Sequence, residues 1–273
     1  MTQTQVSAKE VMKLRQRTGL SMMECKKALV EAEGDHQRAE DLLRKKLKGK
    51  MDTRTERSAG EGRIAVAVEG DKAAIIEVRA ETDFTAKNEK FVAMTDRVAA
   101  AVLAHDAGEV GQPDDAAKAI DELRISTGEN ISYGRGKVLQ ADGARYASYV
   151  HHDGKTGALL QVQGDASEDV LRDVCMHIVA AVPTPAGVHA DDVPADMVEK
   201  ERKFRLEQAM ESGKPQEIAE KMVEGGMRKF FESVALIEQP FVKDPAIKIK
   251  DLVGSGTTIL HFERWVVGET GDE

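Results

Sequence analysis

The sequence runs to 273 residues and carries 39 Lys+Arg against 48 Asp+Glu, a formal charge of −9, with pI ≈ 5.4 and a mean hydropathy of −0.40. That length exceeds what one hydrophobic core usually covers, so about two units are expected, and the acidic balance argues against a whole-surface grip on nucleic acid or an anionic membrane. No apolar run approaches the ~18 residues of a membrane span, Met1 to Glu10 has neither the basic nor the apolar region of a secretory signal, and Cys25 and Cys175 stand in no CxxC or Cys/His ligand spacing, so a cytoplasmic chain with no disulfide framework, structural zinc or cofactor is expected.

Residues 1–50 hold 12 Lys+Arg and 7 Asp+Glu, a local +5 that leaves −14 for the rest. Ser7-Ala8-Lys9-Glu10 and Ser21-Met22-Met23-Glu24 share the S-x-x-E spacing in which the two side chains satisfy each other's orphan backbone donors, so each marks a helix start. Gly19 and Gly34 suit helix ends, and Asp35 suits the cap of a third helix carrying Ala39, Leu42, Leu43 and Leu47. A three-helix module over 1–50 follows, with a polar linker over 51–63.

The period then changes. Ile64 to Val68 and Ala73 to Val78, joined through Glu69-Gly70-Asp71-Lys72, read as two strands, and Asn88 reads as the cap of a helix bearing Phe91, Met94, Val98 and Val102. An echo follows in which Arg145 to His151, a turn at Asp153-Gly154 and Ala158 to Val162 precede a helix with Leu171, Val174, Ile178 and Ala181. Between Pro194 and Ala235 two charged helices are expected, broken at Ser212-Gly213-Lys214-Pro215, with Val223, Met227, Phe230 and Val234 forming a seam against Met197 and Phe204. Thr257 to Val267, with Trp265, reads as a last strand. The fold class is α+β, divided into a module (1–50), a linker (51–63), a first core part (64–140), a second core part (141–193 with 237–273), and a helical hairpin inserted at 194–236.

Known chemical motifs are few. There is no phosphate-binding G-x-x-x-x-G-K-[ST], and Gly134-Arg135-Gly136-Lys137 lies in a strand-like stretch without the required flanks. His151-His152 closes a strand, where neighbouring side chains point to opposite faces and do not converge on one metal. No nucleophile arrangement appears, which argues against an enzyme. What stands out is Glu81-Thr82-Asp83-Phe84-Thr85-Ala86-Lys87-Asn88, a large aromatic beside an acid between strand and helix. On pattern alone Phe84 folding back as a core plug, with Asp83 capping the next turn, is the commoner outcome, and anchoring a partner is the alternative. Met22 and Met23 lie about 100° apart on their helix, so either both belong to an enclosed helix end or one meets a partner, for which Met is well suited.

These segments resemble the bacterial elongation factor Ts family of nucleotide-exchange factors. The resemblance is carried by Leu14-Arg15-Gln16-Arg17-Thr18-Gly19 with Met22 to Leu29, by Thr82 to Asn88, by Gly128-Glu129-Asn130-Ile131, by Ser148-Tyr149-Val150-His151, by Ser212 to Gly225, and by Gln239-Pro240-Phe241-Val242. It implies a module like a ubiquitin-associated domain, a two-part α+β core with antiparallel sheets and a protruding coiled coil. It further implies a partner, the GTPase elongation factor Tu in its GDP-bound and nucleotide-free states, with no nucleotide, nucleic acid or membrane bound by this chain itself. Thr82, Asp83 and Phe84 would enter the GTPase domain, Phe84 as a wedge and Asp83 against the Mg²⁺ site. His151 would support that intrusion, Thr127 and Gly128 would lie along the interface, and Arg15, Met22 and Met23 would anchor the module. Thr85 and Thr127 depart from residues common in the family. Two other classes compete: a protein-interaction adaptor acting through the module without exchange activity, and an RNA-binding accessory factor using the +5 segment, whose binding would fall steeply with salt.

Overall fold

A computed structural model describes residues 6–18, 20–52, 57–211 and 216–269. In chain order it contains helices α1 (Ala8–Thr18), α2 (Met22–Glu31) and α3 (His36–Asp52), strands β1 (Glu61–Glu69) and β2 (Lys72–Ala80), helices α4 (Asp83–Ala86) and α5 (Glu89–Leu103), strand β3 (Gly108–Glu109), helix α6 (Asp114–Thr127), and strands β4 (Ile131–Gln140), β5 (Arg145–Val150) and β6 (Thr156–Gly164). There follow α7 (Glu168–Ala180), α8 (Ala195–Glu211), α9 (Gln216–Val234), β7 (Pro240–Phe241), β8 (Asp244–Lys248), α10 (Ile249–Val253) and β9 (Thr257–Val266). The architecture is α+β, with strand orders β1-β2-β4-β3, β5-β6-β9 and β7-β8. No helix among the described residues is long and apolar enough to cross a membrane. Compactness divides the chain into one unit of Met1–Ala65, Ile76–Lys137 and Val267–Glu273, and another of Val66–Ile75 and Val138–Val266.

In the first unit the S-x-x-E signals close as expected. Ser7 and Ser21 accept from the backbone N–H groups of Glu10 and Glu24 at 3.2 and 3.3 Å, and each glutamate accepts in return from the serine N–H at 2.9 and 3.3 Å. Asp35 caps α3 through the Arg38 N–H at 3.0 Å. The three helices close over Val11, Leu14, Cys25, Leu29, Ala39 and Leu43, and Ile125 of α6 packs against the same cluster. Gly19, Ser212-Gly213-Lys214-Pro215 and the side chain of Leu47 lie outside the described residues. The central strand β2, between β1 and β4, is buried along almost its whole length. Its Glu77 is fully buried, with Arg79 at 2.7 Å and Arg135 at 2.9 Å on its two oxygens, and it accepts from the Gly268 N–H at 3.0 Å.

That carboxylate accounts for Gly134 and Arg135, and Tyr133 accounts for Gly136. A Cβ at Gly134 would stand 3.1 Å from Glu77, and one at Gly136 would stand 2.0 Å from the Tyr133 hydroxyl. The glycines therefore make room in a strand. Desolvation pushes the Tyr133 hydroxyl up to about 12, and it donates to the Val110 carbonyl at 2.8 Å.

In the second unit β5 and β6 run antiparallel from Arg145↔Val162 to Val150↔Gly157, and β6 pairs antiparallel with β9. Their inner face packs on α7 around Leu160, Val162, Leu171, Val174 and Ile178. Cys175 lies in this core, where burial pushes its thiol up to about 12. A polar hub sits beside it. The Val242 N–H donates to His177 Nδ1 at 3.2 Å, which leaves the proton on Nε2 to be donated to Gln239 at 2.9 Å; the Gln239 amide in turn donates to the carbonyls of Pro183 and Ser233 at 2.9 and 2.6 Å.

Helices α8 and α9 pack on one another around Ala209, Ala219, Val223 and Met227, with Val198 and Phe230 partly buried. Of the expected α9 residues Val223, Met227 and Phe230 take part, Val234 is buried outside this cluster, and on α8 Met197 and Phe204 are 39% and 55% exposed. From α8 the contact is made by Ala209 and Val198 instead.

Candidate functional site

The Asp-Phe segment is a single helical turn set between strand and helix. Thr82 is extended at φ −125° and caps α4, its hydroxyl oxygen accepting from the Thr85 N–H at 3.2 Å. The Lys87 N–H closes the turn on the Asp83 carbonyl at 3.0 Å. One turn has only one inward side, and Thr85 and Ala86 occupy it. Phe84 therefore projects outward, 84% exposed, whereas Phe91 of α5 is 1% exposed. The core-plug expectation for Phe84 is overturned, and the cap is Thr82 rather than Asp83. The Asp83 carboxylate instead meets Lys87 at 2.8 Å, on the i,i+4 spacing.

A second loop is hydrogen-bonded to this turn. Helix α6 ends at Gly128 in the left-handed conformation, φ 73°, its N–H donating to the Arg124 carbonyl at 2.8 Å, and Thr127 turns its hydroxyl back onto the Leu123 carbonyl at 2.9 Å. The reversal at Gly128 carries the chain to Glu129 and Asn130. Thr82 donates its hydroxyl proton to the Glu129 carboxylate, 3.0 and 3.1 Å from its two oxygens. The Asn130 N–H donates to Glu81 at 2.6 Å and its side-chain amide to the Arg57 carbonyl at 2.8 Å. Thr82, Thr127 and Gly128 thus belong to one assembly with Asp83 and Phe84. Glu81 was noted in the sequence only as the first residue of this segment, without a role, and Arg57 was not anticipated.

On the helical module Leu14 and Leu29 face inward at 0% exposure, whereas Met22 and Met23 are 37% and 63% exposed and Met12 is 49% exposed. Arg15 is exposed on the same helix as Met12, three positions on and therefore on the same face. In the second unit His151 follows the last residue of β5, its N–H donating to the Thr156 carbonyl at 2.8 Å. The strand alternation expected to separate the two imidazoles does not reach them: both lie in the turn, with ring centroids 4.2 Å apart. His151 Nδ1 stands 3.1 Å from Asp153. Burial alone would raise the Asp153 carboxyl, but the Lys155 N–H and the two histidines hold it below the usual carboxylate range. No group of three or more His, Cys, Asp or Glu among the described residues is arranged to hold a metal ion.

The sequence matches the family model for elongation factor Ts over residues 81–269. The chain belongs to the elongation factor Ts family. Among curated relatives, elongation factor Ts of Hydrogenovibrio crunogenus is 42% identical, with 97% of this chain and 92% of that protein covered. Elongation factor Ts of Alkalilimnicola ehrlichii is 41% identical over 97% of this chain and 92% of its own length, and that of Idiomarina loihiensis is 40% identical over 97% and 91%. The family match begins at Glu81, the residue that receives the Asn130 N–H. The elongation factor Ts relatives extend the likeness across the helical module as well.

Proposed function

We propose that this chain is a guanine-nucleotide exchange factor for elongation factor Tu, acting in the cytoplasm during translation elongation. Membership of the elongation factor Ts family supports the coarse statement, an exchange factor for that GTPase. The finer reading is that Asp83 and Phe84 enter the GDP-bound partner, Phe84 as an apolar wedge and Asp83 as a negative charge directed at the partner's Mg²⁺ and phosphate site. Arg15, Met22 and Met23 anchor the module on the partner, Thr82, Thr127 and Gly128 border the wedge, and His151 adds a contact from the second unit. The observation that carries this reading is Phe84, an aromatic side chain held 84% exposed on a capped turn. Monomeric surfaces leave such a side chain in water at a cost of its apolar transfer free energy, about 1.5–3 kcal/mol, which a hydrophobic partner site would return.

Exchange forms and breaks no covalent bond; it is a coupling between two binding equilibria. If the chain weakens nucleotide binding by some factor, nucleotide weakens the chain's binding by the same factor. Disturbing the partner's Mg²⁺ removes the charge that neutralises the phosphates, GDP leaves, and GTP enters the vacated site and displaces the chain. Mixing the chain in substoichiometric amounts with elongation factor Tu loaded with fluorescent GDP should accelerate release. Binding without acceleration would contradict the exchange reading and favour an adaptor acting through the helical module.

A further inference from the structure

We propose that Glu129 and Asn130, with Glu81 and Arg57 behind them, are positioning residues that hold Phe84 in its exposed pose before any partner arrives; the inference rests on the exchange reading above. A helix of one turn does not persist unaided, because nucleation fixes several dihedrals for one hydrogen bond. A free phenylalanine on such a turn would gain by collapsing onto the body. Something must hold the turn, and the hydrogen-bond directions identify what does.

A threonine hydroxyl has one proton and two lone pairs, and an ionised carboxylate can only accept. The Thr82 proton therefore points to Glu129, whose oxygens lie 3.0 and 3.1 Å away. This sets the hydroxyl rotor so that a lone pair faces the Thr85 N–H at 3.2 Å. Glu129 thus fixes the cap of α4 through Thr82. The residue before the cap is fixed as well: Glu81 accepts from the Asn130 N–H at 2.6 Å on one oxygen and from Arg57 at 3.4 Å on the other. Asn130, 4% exposed, ties the same point to the Arg57 carbonyl. Two consecutive residues after the Gly128 reversal so grip two consecutive residues before the wedge. Order established before binding removes an entropic cost from the step in which the wedge enters. Losing the grip should lower the maximal exchange rate while the other anchoring contacts keep the apparent affinity.

The test measures release of fluorescent GDP from elongation factor Tu across concentrations of the full chain, for the parent, Glu129→Ala, Glu129→Gln and Thr82→Val, with hydrogen exchange at the Thr85 amide followed in each free protein. Glu129→Ala should lower the saturating rate about tenfold, change the half-saturating concentration by no more than about twofold, and speed Thr85 amide exchange about tenfold. Glu129→Gln keeps an acceptor oxygen and should recover most of both losses. Thr82→Val removes the hydroxyl at nearly constant volume and repeats the test from the other side of the bond. A parent-like saturating rate in Glu129→Ala, or a lowered rate with Thr85 exchange unchanged, would overturn the proposal. Should the parent itself fail to accelerate release, the exchange reading falls, while Thr85 exchange in the free variants still decides whether Glu129 holds the turn.

Discussion

The chain uses one local arrangement twice, and the difference that bears on function lies in the connection from the second strand to the helix. In the first, β1 and β2 lead to α5, capped by Asn88 through the Lys90 N–H at 2.9 Å. In the second, β5 and β6 lead to α7, capped by Ser167 through the Val170 N–H at 3.4 Å. Residues 165–167 make the crossing in the second copy, and the Ala166 N–H there donates to Thr257 at 2.8 Å. Residues 81–88 make it in the first, and they hold an extra capped turn with an outward phenylalanine. The shared scaffold needs only a short crossing, so the longer one serves something other than stability. Both copies keep a polar cluster inside, Glu77 with Arg79 and Arg135 in the first and His177 with Gln239 in the second; the first adds a further set at its longer crossing, where Glu129 and Asn130 bond Thr82 and Glu81.

The sharpest way to break this comparison sets two phenylalanines of the first copy against one another. Phe91→Ala, at a residue 1% exposed, should lower stability by about 3–5 kcal/mol, read from the urea unfolding midpoint. Phe84→Ala should leave that midpoint within about 0.5 kcal/mol of the parent. A large stability loss at Phe84 would mean that the turn is part of the core. The caps should behave alike in the two copies: Asn88→Ala and Ser167→Ala should each cost about 1 kcal/mol in the same measurement, and unequal costs would show that the copies are not equivalent scaffolds.

The smallest effect concerns pH and belongs to the second copy alone. Burial lowers the His177 pKa below its ordinary 6.5, with the hydrogen bond to Gln239 opposing in part. The unfolded chain then binds a proton that the folded chain refuses, so stability is complete above about 6.5 and declines as pH falls through the lowered value. Protonation would also set a ring N–H against the Val242 N–H that now donates to Nδ1. The unfolding midpoint should be lower at pH 5.5 than at pH 7.5, and His177→Phe should flatten that dependence. An unchanged slope in the variant would place the titration elsewhere.

Much of the scaffold was legible because its signals are local. The S-x-x-E pairs, Asp35, Asn88 and the apolar strand at Ile64 to Val68 each act through neighbours in sequence, and each appears in the structure where the pattern put it. Helix α6 was not anticipated: its inward face is built from Ala116, Ala119, Ile120 and Leu123, a stripe weakened by alanines, and its cap residue, Pro113, makes no side-chain cap bond. The partners of α8 were misjudged for a related reason, since small residues carried the contact and large ones faced water. The outward pose of Phe84 could not be read from periodicity at all. It depends on Glu129, forty-seven positions away in sequence, and long-range hydrogen bonds leave no local trace. Asp83 and Phe84 stood out as an aromatic beside an acid, Thr127 and Gly128 came to attention through a family resemblance, and the bonds made by Glu81 and Arg57 required the fold.

The central claim is that the exposed phenylalanine acts on the nucleotide of a GTPase. Stopped-flow release of fluorescent GDP from elongation factor Tu, with the parent chain and with Phe84→Ala at equal concentrations, tests it most directly. The account predicts strong acceleration by the parent and about tenfold less by the variant, with both proteins equally stable. Equal acceleration by the two would contradict it, leaving the wedge without a role in exchange.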